Sequence, residues 1–457
     1  MMRLSINLPP LQKFNVFNPT FWLIIYFVFK YYLMGRAFFL LVVAFLFFFL
    51  DFYTYSGLSG LFVQSRFERF WKILYWVMSA FTYISIFYLI YQYNVSPSFI
   101  RTEWVNFLGG FIFTMFVSKL VFGGILLVQD ILRVTFGGVQ YVNYKINDTM
   151  WTEEGFIPGR RQFLTSFGTL VAGIPFFSML YGITKGKYQY TVQKLVLTFR
   201  DLPAAFEGFT IVQISDVHAG SFDNKEKVKK GIDMINELDA DVVCFTGDLV
   251  NAEKEEIDPY IDIFSEIKAK HGKFATLGNH DYYGSYDRNN PSAERSYFED
   301  FYQKFSQMGF TLLNNVHQKI EKAGESINIV GVENWGAGRW FPKKGDLAKA
   351  TQGITPDAFN VLLSHDPTHF DEKVKTFDKT MHLTLSGHTH GFQFGFQMPG
   401  FSWSPAKYRY KKWLGLYEEN DRKLYVNRGF GFLGFPGRVG MWPEITHITL
   451  TRESQAS

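Results

Sequence analysis

The chain has 457 residues, a formal net charge of +4 and an aromatic content of 19%. This length exceeds one ordinary domain. The small charge, spread without a basic stripe, argues against a nucleic-acid-binding protein, and we expect no nucleic-acid partner. Because 51 Phe coexist with a mean hydropathy near zero, we expect a strongly apolar region in series with an ordinary soluble one.

The first 185 residues contain four stretches that approach the length of a membrane-spanning helix. They lie at about 37–53, 71–93, 107–128 and 163–181. Core helices of a soluble domain are the alternative, but several such stretches with few charges would be unusual there. A shorter apolar piece at 21–33 is an interfacial helix or a fifth span. The sequence therefore predicts an all-α integral membrane region at 1–185 that contacts the lipid bilayer.

Basic residues in the short loops predict the orientation of these spans, because Lys and Arg favour the cytoplasmic side. The loops before the second and fourth spans carry Arg66, Arg69, Lys72, Arg133, Lys145, Arg160 and Arg161. The loop between them carries Arg101. This asymmetry places the domain after residue 181 outside the cytoplasm, for instance on the outer side of a bacterial inner membrane.

The segment GRRQFLTSFG resembles a twin-arginine export signal, with Arg160 and Arg161 before an apolar stretch. The protein would then use the twin-arginine export machinery, which carries folded domains. The alternative is that both arginines anchor the inner end of a helix.

Lys119 falls near the middle of the third predicted span. A charge there is costly unless it faces a partner or water. A lipid headgroup or a carboxylate could pair with it, and a helix break or a displaced span are the alternatives.

From residue 186 the sequence changes to short apolar runs typical of strands. Residues 186–208 contain a linker and a first, alternating strand, YTVQKLVLTF. Five later runs are FTIVQISDVH, DVVCFTGDLVN, KFATLGNHDYY, FNVLLSHD and MHLTLSGHTHG. The single cysteine, Cys244, lies in the second of these and is expected to pack as a small apolar residue. Helices are predicted between runs, for example at 225–238 and 260–270.

Each of these five runs ends in polar residues, the position where α/β sheets usually carry their chemistry. These residues are Asp216, His218, Asp248, Asn279, His280, His365, His388 and His390. Imidazole and carboxylate suit Mn, Fe or Zn, and this number of ligands exceeds what one ion takes. Two divalent ions that share a bridging carboxylate account for the surplus.

The blocks DVH, GDLVN, GNHD, a downstream His and GHTH occur in this order over about 209–450. They resemble the signature of the calcineurin-like metallophosphoesterases. The resemblance implies an α/β domain at 209–457, a β-sandwich flanked by helices in four layers, α/β/β/α. It also implies an enzyme that cleaves phosphoester bonds with metal-activated hydroxide.

The resemblance further implies a role for each residue. The first metal would be bound by Asp216, His218 and His390, the second by Asn279, His365 and His388, with Asp248 bridging. His280 would remain unligated and protonate the leaving oxygen or stabilise charge in the transition state.

One position departs from the pattern of many relatives, which end the second block with Asp where this chain has Asn251. An amide cannot stabilise an imidazolium as a carboxylate would, so the orientation of His280 is left open, with Asp281 as another candidate support. Three tyrosines, Tyr282, Tyr283 and Tyr286, follow this block and either line the pocket or pack a loop.

The last segment, YVNRGFGFLGFPGRVGMWPEITHITL, is similar to the tail of a membrane-associated subgroup. Some members of that subgroup hydrolyse nucleotide-linked lipids such as UDP-diacylglucosamine. Arg428 and Arg438 either meet substrate phosphate or pair with surface carboxylates.

Three hypotheses follow from the sequence. The first is a membrane-anchored phosphohydrolase acting on a phosphomonoester or phosphodiester, with an amphiphilic substrate favoured by the anchor. The alternative is a membrane transporter or sensor regulated by a phosphoesterase-fold domain. A binding module with a degenerate enzyme fold is the third, and the complete ligand set argues against it.

Overall fold

The computed structural model describes residues 34–63, 65–95, 102–147, 158–398 and 400–453. The apolar piece predicted at 21–33 lies outside them. Within the described chain, four helices are long and apolar enough to cross a membrane. They are α1 (Met34–Phe62), α2 (Glu68–Val95), α3 (Glu103–Asn147) and α4 (Pro158–Thr184).

Each of these helices contains one predicted span, and α3 continues well beyond the predicted end at residue 128. The buried share of the apolar stretch ranges from 11% to 33% across the four helices. Most of this apolar surface therefore faces outward, as contact with lipid requires. The prediction of four membrane helices is confirmed.

The described residues form two compact units. One lies within Met1–Ser79 and Ser118–Ala172, and the other within Ala80–Val117 and Gly173–Ser457. In the first unit, Lys119 forms an ion pair with Asp51, and its Nζ donates to Ser79 Oγ (2.9 Å). Because α3 runs unbroken through Lys119, the helix-break alternative is wrong and the partner is a carboxylate.

The second unit contains two packed sheets. The first sheet has the order β1 (Thr191–Phe199), β14 (Glu444–Arg452), β2 (Thr210–Ile214), β3 (Val242–Thr246), β4 (Lys273–Thr276), β5 (Thr311–Leu312). The second has the order β12 (Gly415–Glu419), β13 (Arg422–Val426), β9 (Leu383–Ser386), β8 (Phe359–Leu363), β7 (Glu325–Gly331), β6 (Val316–Lys322). Strands β10 (Phe396–Met398) and β11 (Phe401–Trp403) form a separate antiparallel hairpin.

The strands that precede the sequence blocks are mutually parallel within each sheet. In the first sheet β2, β3 and β4 are parallel, and in the second β8 and β9 are parallel. Strands β3 and β8 are buried along their whole length, as expected for parallel strands covered on both faces. Their carboxyl ends meet at one edge of each sheet.

The core between the sheets is fully buried. Ile211 and Cys244 of the first sheet contribute to it together with Ile329, Val361 and Leu385 of the second. The outer face of the first sheet is covered by α5 (Lys225–Asn236), α6 (Ile261–Ser265) and α7 (Pro291–Gln307), and that of the second by α8 (Leu347–Ala350) and α9 (Thr368–Glu372). The four-layer α/β/β/α prediction is confirmed.

One predicted helix is shorter than expected. The helix at 260–270 ends at Ser265, although Ile267 beyond it is still buried. The Asn236 side chain accepts the N–H of Lys268 (2.8 Å) and donates to the carbonyl of Glu266 (3.0 Å). This side chain forms hydrogen bonds with backbone groups that a continuing helix would have paired. The helix can therefore end here without leaving these backbone groups unpaired.

Candidate metal centre

The structure places the predicted site residues at the carboxyl ends of five strands. The residues are Asp216 and His218 after β2, Asp248 after β3, Asn279 and His280 after β4, His365 after β8, and His388 and His390 after β9. The two sheets thus bring residues 174 positions apart in sequence into one centre.

The first group of possible metal ligands consists of Asp216, His218 and His390, whose ligand atoms all lie within 4.8 Å of one another. His390 Nε2 lies 3.0 Å from His218 Nε2 and 3.2 Å from Asp216 Oδ1. All three residues are buried. Their lone pairs converge on a space that suits one cation.

The second group consists of Asp248, His365 and His388, also within 4.8 Å. His365 Nε2 lies 3.2 Å from Asp248 Oδ2 and 3.2 Å from His388 Nδ1. The same Asp248 oxygen is 3.6 Å from His218 Nε2 in the first group. Asp248 therefore stands between the two groups, where a bridging carboxylate would be needed.

Asn279 provides an independent observation that favours a metal at the second group. Its Oδ1 is buried and has no hydrogen-bond partner among the described residues. Its Nδ2 donates to Tyr283 Oη (3.3 Å). A buried acceptor without a donor is rare in folded proteins, and a bound cation would satisfy it.

The ionisation of the buried groups agrees with such a site. Burial lowers the pKa of His218 and of His388, which leaves both rings neutral and able to offer a lone pair. Burial acts in the same direction on His365, but the carboxylates Asp248 and Asp216 outweigh it and raise its pKa to about 10. The two buried carboxylates thus draw positive charge onto this ring, and a bound cation would take the place of that proton and neutralise them.

The backbone at the ligands is strained. Five ligand residues have left-handed conformations, with φ angles of 51° at Asp216, 47° at His218, 59° at Asp248, 71° at His388 and 51° at His390. Each such non-glycine residue costs about 1–3 kcal/mol, and such costs concentrate at functional sites. Gly387 directly precedes His388, and a Cβ at this position would lie 2.2 Å from Asp216 Oδ2. Glycine is therefore needed for the loop that carries His388 to approach the loop that carries Asp216.

His280 lies beside the first group with its ring partly exposed; its centroid is 5.0 Å from that of His218. Its Nδ1 donates to the backbone carbonyl of Asn251 (2.7 Å). The Asn251 side chain instead bonds to Ser221 Oγ (3.1 Å). The orientation left open by the sequence is therefore fixed by a main-chain oxygen, which any residue at position 251 supplies.

Asp281, the other candidate support for His280, has a different role in the structure. Its buried carboxylate accepts the backbone N–H groups of Gly278 (2.8 Å), Asp248 (3.0 Å), Leu249 (2.8 Å) and Val250 (3.3 Å). Burial and the Asp248 carboxylate raise its pKa to about 7, but four donors leave no acceptor for a carboxyl proton and favour the ionised form. Asp281 ties together the loops that carry Asp248 and Asn279.

Two side chains that hold the ligand histidines in place by hydrogen bonds were not predicted from the sequence. Arg438 is fully buried, and its Nη2 donates to His390 Nδ1 (3.0 Å). Tyr410 Oη lies 3.0 Å from His388 Nε2. These partners are 48 and 22 residues from the histidines, and no local pattern in the sequence indicates such pairings.

The structure also bears on the alternatives left open for the arginines and tyrosines. Among the residues that the structure describes, Arg438 contacts no surface carboxylate, and Arg428 pairs with Glu444 (2.5 Å), which is itself buried. Tyr282 is buried in the core and donates to Glu333 (2.9 Å). Tyr286 packs against the same core, whereas Tyr283 is 36% exposed with its ring 5.0 Å from that of His280.

Comparisons with known proteins agree with this geometry. Residues 209–392, which contain all eight site residues, match the family described as calcineurin-like phosphoesterase. The metallophosphoesterase YkuE of Bacillus subtilis is 32% identical over 298 residues, which cover 64% of this chain and 97% of that protein. The chain belongs to the calcineurin-like metallophosphoesterase family. It is a metal-dependent phosphoesterase.

The membrane region also has relatives. Residues 35–187 match a family described as the transmembrane domain of a probable calcineurin-like phosphoesterase. A transmembrane protein with metallophosphoesterase domain from Danio rerio is 26% identical over 392 residues, 84% of this chain and 81% of that protein. A metallophosphoesterase of Helicobacter pylori J99 is 26% identical over 383 residues, 83% and 92% of the two chains. This metallophosphoesterase is thus an integral membrane protein.

Proposed function

We propose that the protein hydrolyses phosphoester bonds with two divalent metal ions, which are Mn, Fe or Zn. The observation that carries this proposal is the pair of ligand groups, each within 4.8 Å, with Asp248 between them. Asp216, His218 and His390 would hold one ion. His365, His388 and Asn279 would hold the other.

Two bound ions would stabilise charge on the phosphoryl oxygens and lower the pKa of a water molecule. The role of His280 follows from its own contacts. Its Nδ1–H bond to the Asn251 carbonyl is kept in both the neutral and the protonated ring. Nε2 can therefore gain or lose a proton without turning the ring, and it would give that proton to the leaving oxygen.

The proposed substrate is an amphiphilic phosphoester, of the lipid-linked or nucleotide-linked lipid class. The support is the membrane region, which would keep the catalytic domain near a bilayer. A tethered enzyme can also act on soluble phosphoesters, and a hydrolysis panel distinguishes the two substrate classes.

We also propose that the catalytic domain lies outside the cytoplasm. The support is the distribution of Lys and Arg between the loops. Arg160 and Arg161 lie at the start of α4, and whether they act as an export signal stays a prediction. Protease accessibility of the domain in oriented membrane vesicles tests the orientation, because cleavage from the cytoplasmic side alone would contradict it.

The alternative of a transporter or sensor has little support. Its basis in the sequence was the charge of Lys119, and Asp51 accounts for that charge as an ion pair between helices. Such a pair is expected of helix packing as well as of transport.

The experiment is a hydrolysis panel with the purified full-length protein. It compares bis-p-nitrophenyl phosphate, p-nitrophenyl phosphate, phospholipids and nucleotide-linked lipids, each with wild type and His280→Ala, before and after removal of metal by a chelator. We expect metal-dependent turnover that falls strongly in His280→Ala. No turnover on any substrate despite two bound ions would favour the regulatory or binding-module hypothesis.

A further inference from the structure

The β10–β11 hairpin has an exposed apolar face. Phe396 lies opposite Trp403 and Met398 opposite Phe401, so these four side chains share one face of the hairpin. Phe396, Met398 and Phe401 are 42%, 55% and 51% exposed. The ring of Phe396 packs against those of Phe401 and Trp403, with ring centroids 5.7 Å and 5.8 Å apart. These side chains form an apolar patch on the surface.

One polar side chain of the hairpin is tied to the domain, although it is itself exposed. Gln397, between two of the apolar residues, accepts a hydrogen bond from Arg428 Nη1 (3.0 Å). Arg428 is in turn buried against Glu444. In an ordinary hairpin of a soluble domain the polar side chains face water and the apolar ones face the core. Here the apolar side chains of β10 are exposed as well.

The chemistry of the surrounding segment is that of a membrane interface. Residues 391–417 contain no Asp or Glu. Lys407, Tyr408, Arg409 and Lys411 follow the hairpin and are all exposed. Aromatic side chains combined with Lys and Arg bind the headgroup region of anionic bilayers.

The hairpin also lies beside the end of a membrane helix within the second unit. Gly395 donates its N–H to the carbonyl of Val439 (2.9 Å) at the base of the hairpin. Trp442 in the same segment packs on Tyr181 of α4, with 5.8 Å between ring centroids. A cavity of 580 Å³ is lined by both the hairpin and Thr191, a residue seven positions after α4 ends.

We infer that the β10–β11 hairpin inserts its apolar face into the interface of the membrane that α4 leaves, with anionic headgroups against Lys407, Arg409 and Lys411. This is a membrane contact in addition to the helices. Because Tyr410 of the same segment contacts His388, the insertion holds the metal centre at the lipid surface. That consequence rests on the proposed function, whereas the insertion does not.

The test uses spin labels on the full-length protein in nanodiscs that contain phosphatidylcholine and phosphatidylglycerol. Cysteines are introduced singly at Met398 and Phe401, and at Val316 as the control, which is 44% exposed on the edge strand β6. The native Cys244 is fully buried. The thermal midpoint of each variant, measured separately, confirms that the domain is folded.

Accessibility to oxygen, which dissolves in lipid, and to a water-soluble nickel complex decides between the outcomes. We expect the labels at 398 and 401 to be accessible to oxygen and protected from nickel, and the label at 316 to be accessible to nickel. Nickel accessibility at all three sites would overturn the inference. Protection from both reagents at 398 and 401 would also overturn it, since it would indicate a protein partner or a second copy.

A charge variant tests the headgroup contact separately. Lys407→Gln, Arg409→Gln and Lys411→Gln together should raise the nickel accessibility of the label at 401. They should also remove its dependence on the phosphatidylglycerol fraction. Unchanged accessibility across lipid compositions, in wild type and variant alike, would contradict the role of these charges.

Discussion

Asp281→Asn tests how the metal loops are held. The carboxylate accepts two N–H groups on each oxygen, those of Asp248 and Gly278 on Oδ2 and those of Leu249 and Val250 on Oδ1. An amide keeps one acceptor oxygen and presents its NH₂ group to the other pair. Two buried N–H groups then lose their partner, at about 1–3 kcal/mol each and about 2–6 kcal/mol together.

Metal affinity should fall because these N–H groups belong to the loops that carry Asp248 and Asn279. If only about 1.4 kcal/mol of this cost falls on the metal-loaded state, affinity drops about tenfold. The assay is titration of the chelator-treated protein with Mn²⁺, together with its thermal midpoint in detergent. We expect weaker binding of both ions, since Asp248 lies beside ligands of both groups, and a lower midpoint.

Asp241→Asn is the matched control. Asp241 accepts the N–H and hydroxyl of Thr210 (2.8 and 2.9 Å) at the opposite end of β3. Because both bonds end on Oδ2, one amide oxygen can keep them, so this variant should change the midpoint little and leave metal binding unchanged. If Asp281→Asn instead binds two ions with wild-type affinity and melts like wild type, the reasoning about this carboxylate is wrong.

Three further predictions concern other parts of the chain. His280→Ala should lower kcat by about 10²–10⁴-fold with bound metal unchanged. Asn251→Ala keeps the backbone carbonyl that accepts the His280 hydrogen bond and should change kcat less than about tenfold. Equal losses of kcat in the two variants, measured by steady-state assays, would contradict the role of this carbonyl. Asp51→Asn should destabilise the detergent-solubilised protein by about 3–5 kcal/mol because Lys119 stays buried without its charge partner, and adding Lys119→Gln should recover part of this. Burial lowers the pKa of His382 to about 4, so the unfolded chain binds more protons than the folded one between pH 6.5 and 4. The free energy of unfolding therefore falls as pH falls through this window, by up to about 3 kcal/mol. If the thermal midpoint of His382→Gln depended on pH in the same way as that of wild type, this prediction would be wrong.

The sequence predicted those parts of the centre that depend on local patterns. Each of the five blocks is an apolar run with polar residues directly after it, so the strand and its ligands are read from the same few residues. The order of blocks then identified the fold family, and with it the four layers. The four membrane helices were equally local, since length and composition alone define them.

Long-range pairing is what the sequence did not reveal. Strand β14 pairs with both β1 and β2, although it is separated from them by more than 200 residues. Arg438 and Tyr410 reach His390 and His388 only because the last segments fold back over the ligand loops. The support of His280 was missed for another reason: the partner is the main chain of Asn251, and side-chain identity carries no information about it.

The number of divalent ions bound per chain tests the central claim most directly. It can be measured by inductively coupled plasma mass spectrometry on the full-length protein equilibrated with Mn²⁺, for wild type, His218→Ala and His365→Ala. The two ligand groups predict two ions in wild type and one in each variant at the same free ion concentration. A wild-type protein that binds one ion or none at saturation would contradict the two-metal centre.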